Sequence, residues 1–65
     1  MITTIKINEV RICSYKIKDN TLFIHMYGMY DNELQKEKYV RIIKELISDT
    51  RKSFDFVKYL PIIEK

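Results

Sequence analysis

The stretch YKIKDNTLFIHMYGMY, residues 15–30, decides the fold. Two runs rich in β-branched and aromatic residues flank Asp19-Asn20, a polar pair that tolerates the positive φ of a type I′ turn. The stretch therefore reads as a β-hairpin, and the turn sets its register. With Lys18 opposite Thr21, Ile17 meets Leu22, Lys16 meets Phe23, Tyr15 meets Ile24, Ser14 meets His25, Cys13 meets Met26 and Ile12 meets Tyr27. Strand side chains alternate faces, so Cys13, Tyr15, Ile17, Leu22, Ile24 and Met26 share one surface, the expected core. The other surface carries Val10, Ile12, Ser14, Lys16, Phe23, His25, Tyr27 and Met29. It mixes apolar and basic groups, and something is expected to cover it.

Working outward, ITTIKIN (residues 2–8) alternates well enough for a first strand. A three-residue loop of Asn8, Glu9 and Val10 would set Ile5 opposite Cys13 and keep Ile5 and Ile7 on the core side. A two-residue loop would send both to the other face, so the longer loop is expected. Gly28 reads as a bulge or a close backbone approach near the end of the third strand. Asn32 or Asp31 supplies a helix N-cap, and Asn32 with Gln35 has the spacing of a capping box. From there Tyr39, Ile42, Ile43, Leu46 and Ile47 recur at helical spacing.

The tail SFDFVKYLPIIEK is ambiguous. Ser53 could cap a short helix carrying Phe56, Val57, Leu60 and Ile63, or Phe54, Phe56, Lys58 and Leu60 could alternate along an edge strand. Pro61 forbids an interior strand there, and the short helix is preferred. The expected fold class is thus α+β, a single domain over residues 1–65. Strands are expected at about 2–8, 10–18 and 21–30 in a three-stranded antiparallel meander, followed by a long amphipathic helix at about 32–52. A short C-terminal helix or edge segment at about 54–63 completes it.

Size and composition narrow the function classes. A chain of 65 residues buries only about 60% of its unfolded surface, and its stability should be roughly 3–10 kcal/mol. At 46% hydrophobic and 32% charged it is too apolar to be a disordered chain. The lone Cys13 cannot form an intramolecular disulfide, which points to a reducing, cytoplasmic setting. No run approaches the roughly 18–20 apolar residues of a membrane span, and Lys6 interrupts any signal-like start. Abundant Ile, Lys and Tyr with no Ala or Trp suggest an A+T-rich genome, such as that of a virus or mobile element. The net charge of +3 permits acidic or nucleic-acid partners without requiring either.

Catalysis is not expected. Cys13 and His25 fall on opposite faces of the hairpin, so they cannot act as nucleophile and base. Ser14 and His25 face each other, but no acid stands beside them to orient the imidazole. One His and one Cys cannot supply a typical zinc site, and a single glycine makes no phosphate-cradling loop. No cofactor, metal or small-molecule substrate is therefore expected. Instead, the mixed face is expected to bind a partner through Ile12, Lys16, Lys18, Phe23, His25, Tyr27 and Met29. A protein partner or a second copy of the chain is the first expectation, for instance a host protein whose surface a viral inhibitor occupies. The alternative is nucleic acid, with bases stacked on the sheet aromatics and lysines on the phosphates.

Overall fold

The computed structural model describes residues 2–49, 51 and 53–63. They form β1 (Thr3–Ile7), β2 (Val10–Lys18), β3 (Thr21–Met26), a 3-10 turn (Gly28–Tyr30), α1 (Glu33–Leu46) and β4 (Phe56–Tyr59). One mixed sheet runs in the order β1-β2-β3-β4, with the first three strands antiparallel and β4 parallel to β3. The class is α+β.

The central hairpin has the register its turn dictates. Asp19 (φ 51°) and Asn20 (φ 56°) both adopt the left-handed conformation of a type I′ turn. Every pair from Lys18↔Thr21 to Cys13↔Met26 stands as expected. The third strand is shorter than expected, because Gly28 turns at φ 55° into the 3-10 segment and ends the ladder at Met26. A Cβ at Gly28 would meet nothing within 4 Å, so it is the positive φ and not space that calls for glycine there.

The first hairpin departs from expectation. Asn8 (φ 50°) and Glu9 (φ 66°) form a two-residue turn with Ile7 opposite Val10, not a three-residue loop. Yet Ile5 still faces Cys13, because the register shifts between Ile5 and Lys6 and β2 carries one extra residue, Ile12. This β-bulge lets the short turn coexist with a core-facing Ile5. It also breaks the alternation of β2, so Ile12 and Cys13 are both buried, at 1% and 0% exposure.

Helix α1 begins as its sequence asks. Asn32 Oδ1 accepts the Gln35 N–H at 3.0 Å, while the Asn32 N–H donates to the Tyr30 carbonyl, so only half of a capping box forms. Tyr39 and Ile43 are buried against Ile12, Cys13, Tyr15, Leu22, Ile24 and Met26, with Val40 and Ile42 packed alongside. The helix stops at Leu46 and does not reach residue 52. Ser48 takes φ 59°, its N–H donates to Glu45, and the Asp49 N–H donates to Lys44. That is a Schellman ending with serine where glycine is usual.

The tail is a strand and not a helix. The Asp55 N–H donates to the Asn20 carbonyl at 3.0 Å and the Leu60 N–H to Ile24 at 2.8 Å, bracketing β4 against β3. Asn20 Nδ2 also reaches the Ser53 carbonyl. Two causes favour this outcome over the expected helix. The outer backbone groups of β3 need hydrogen-bond partners, and α1 supplies the dozen or more residues that a parallel crossover requires. Pro61 follows the last strand bond, where its missing N–H does no harm.

Two substitutions check these assignments. Ser48→Gly relieves the left-handed conformation at the helix end and should stabilise the chain by about 0.5–1 kcal/mol, raising Tm by a few degrees in thermal circular dichroism. Ile12→Asp buries an unpaired carboxylate and should abolish the native far-UV spectrum altogether, whereas a surface Ile12 would tolerate it.

Candidate binding face

Helix α1 lies over the sheet face that carries Cys13, Tyr15, Leu22 and Ile24. No helix or strand among the described residues lies over the opposite face. The ladder pairs Thr4↔Ser14↔His25, Lys6↔Arg11, Lys16↔Phe23↔Lys58 and Lys18↔Thr21↔Phe56 define its strand positions. Tyr27 continues β3 on this face, its N–H donating to the Ile12 carbonyl at 2.9 Å.

The bulge decides the charge of this face. In an unbroken strand Val10 and Ile12 would join Ser14 and Lys16, as the sequence reading expects. The extra residue turns Ile12 into the core and brings Arg11 onto the open side, with its guanidinium 5.1 Å from the centre of the Tyr27 ring. Lys16 stands over Phe23 at 5.3 Å. Lys58 sits 5.9 Å from Phe23 and 5.9 Å from Phe56, bridging β3 and β4. Each such contact is worth about 0.5–1 kcal/mol at an exposed site.

A polar network fastens the other end. Tyr27 leans toward β2, its hydroxyl 2.9 Å from Ser14 Oγ, which in turn lies 3.0 Å from Thr4 Oγ1. His25 packs edge-on against Tyr27 at 4.4 Å between ring centres. Its Nδ1–H donates to the Leu60 carbonyl at 3.0 Å, tying the face to the chain beyond β4.

Of the residues expected to bind a partner, Lys16, Phe23, His25 and Tyr27 come together, and Lys18 stands exposed at the end of β2 on the same face. Ile12 is in the core. Met29, 82% exposed, belongs to the 3-10 turn beyond the strand. Arg11, Phe56 and Lys58 were missed. Only the bulge exposes Arg11 on this side, while alternation of Phe54, Phe56, Lys58 and Leu60 held the signal for β4.

The polar groups of this face bond to one another and to the backbone. Ser14 is bonded to Thr4 and Tyr27, His25 to a backbone carbonyl, and Cys13 lies on the other side of the sheet. Among the described residues no three His, Cys, Asp or Glu side chains gather as metal donors, and no helix is long and apolar enough to cross a membrane. No protein-family model, no curated protein and no solved structure matches the chain.

Burial pushes the Cys13 thiol up from 9.0 to about 11, and burial also raises Tyr39. The folded state thus holds these protons more tightly than the unfolded one. The stability from Cys13 is fully present below about pH 9 and is lost as pH rises to about 11, a change on the order of 2 kcal/mol. Urea midpoints should therefore fall between pH 9 and 11. Cys13→Ala, less stable at pH 7, should lose less over that window.

Proposed function

We propose that this chain is a non-enzymatic binding module that holds an acidic macromolecular partner against the open face of its sheet. One observation carries the reading. Every charged side chain at an open-face strand position is a cation: Lys6, Arg11, Lys16, Lys18 and Lys58. The described carboxylates lie elsewhere. Glu9 and Asp19 are in turns, Asp55 precedes β4, and Asp31, Glu33, Glu37, Glu45 and Asp49 belong to the helix and its ends. Low-dielectric ring faces beneath clustered cations concentrate a positive field where an anion would dock.

A protein partner or a second copy of the chain is favoured by a different feature, the free edge of β4. Among the described residues this strand pairs only with β3, and it exposes Phe56, Val57 and Tyr59. Lys58 within it and Pro61 after it are residues that blunt such edges, so the open face is the stronger reading.

Heparin, a generic polyanion, tests the face. The wild type should be retained at low salt and released as ionic strength rises. Lys16→Glu/Lys58→Glu should abolish retention. Lys38→Glu/Arg41→Glu, which changes net charge equally on the helix, should largely preserve it. Equal loss in both double variants, or no retention of the wild type, would reduce the face to ordinary solvated charge.

A further inference from the structure

The geometry points to a single-stranded nucleic acid as the partner of the open face, its bases stacked on Phe23, Tyr27 and Phe56 and its phosphates held by Arg11, Lys16 and Lys58. This rests on the reading of that face as an anion-binding surface and adds the chemical class of the ligand.

Three features separate this ligand from other polyanions. The first is that the cations are not free spokes. Arg11 stands over Tyr27, Lys16 over Phe23, and Lys58 beside both Phe23 and Phe56. A carboxylate-rich peptide needs only the charges, whereas a nucleotide presents a π-face and an anion together and uses both halves of each pair. The Arg11 guanidinium plane is itself a stacking surface.

The second feature is spacing. Phe23, His25 and Tyr27 occupy alternate positions of one extended segment, so their backbone positions rise about 6.6–6.8 Å apart, with the His25 ring leaning edge-on to 4.4 Å from the Tyr27 ring. Duplex bases stack at about half that interval, roughly 3.4 Å along each strand. A strand that matches this platform must be stretched and unstacked, which a single strand accepts and a duplex does not.

The third is width. Four strands spaced about 4.8 Å apart make a surface about 14 Å across before side chains are counted. A major groove about 12 Å wide admits a helix or a two-stranded ribbon. A sheet of this breadth lies on a splayed strand and does not enter a groove. The cations and rings run obliquely from Arg11 and Tyr27 at one end of the face to Lys58 and Phe56 at the other, crossing from β2 to β4.

The test measures fluorescence anisotropy of a labelled 15-mer of thymidylate against a 15-base-pair duplex and an oligoglutamate peptide, each over a salt series. The thymidylate should bind at least tenfold more tightly than either competitor. With three phosphates neutralised, its log K should fall with log salt at a slope of about −2. Phe23→Leu, which keeps an apolar side chain but removes the ring, should weaken binding about tenfold at an unchanged slope. Lys58→Gln should make the slope shallower by about 0.7. Phe56→Leu, at a ring 63% exposed and outside the core, repeats the stacking test without risk to folding.

Equal or tighter binding of duplex or oligoglutamate, or Phe23→Leu and Phe56→Leu both binding like the wild type, would overturn the single-strand assignment and leave the anion-binding face standing. Failure of all three ligands, together with failure on heparin, would overturn both.

Discussion

The single extra residue in β2 governs the character of this molecule. A strand has a side-chain period of two, so one inserted residue moves everything beyond it to the opposite face. Here the insertion falls at Ile12. It lets the tight Asn8-Glu9 turn keep Ile5 over the core, sends Ile12 inward beside Cys13, and turns Arg11 outward over Tyr27. Without the bulge the open face would gain an isoleucine and a valine and lose its only arginine. One backbone irregularity therefore links core packing on one side to charge on the other.

That link answers the question raised by the hairpin, namely what covers its second face. The apparent surplus of grease there depended on Val10, Ile12 and Met29 standing with Phe23 and Tyr27. The bulge removes the first two, and the Gly28 turn carries Met29 past the end of the strand. The remaining rings are half-buried under the stems and charges of Arg11, Lys16 and Lys58 and by the bond from Tyr27 to Ser14. Long basic side chains lay apolar stems along rings while keeping their heads in water. The open face therefore presents rings flanked by cations in place of a continuous apolar surface.

How much of this was legible follows from the range of the causes. The Asp19-Asn20 turn is local, and it fixed six residue pairs without further information. The Asn32 cap is local too. The bulge is not, because it balances a preferred turn in one place against burial of Ile5 and Ile12 in another, and neither an unbroken two-residue nor an unbroken three-residue register contains it. The helix end was obscured because Ser48 occupies the position where glycine would have announced it. The tail depends on a third, distant cause. Its own pattern suits helix or strand, and the choice is made by the open edge of β3, a partner more than thirty residues away in sequence, at Thr21–Ile24.

The same dependence makes β4 part of the open face. Lys58 reaches both Phe23 and Phe56, and the Leu60 carbonyl accepts a hydrogen bond from His25 Nδ1–H, so the cationic open face is complete only when the tail is docked. The docking rests on a short ladder, on bonds from Asp55 and Leu60, and on Asn20 holding Ser53. All four residues of β4 remain exposed, while Phe54 before them packs against the core and Tyr59 lies under Lys36 of the helix. An exposed edge strand opens more readily than the core beneath it. A ligand bridging Lys58 to Lys16 and Arg11 would interact with both sides of that opening, so binding and tail docking must favour each other. The strand that completes the sheet is therefore also the element through which a bound polyanion would tighten the fold.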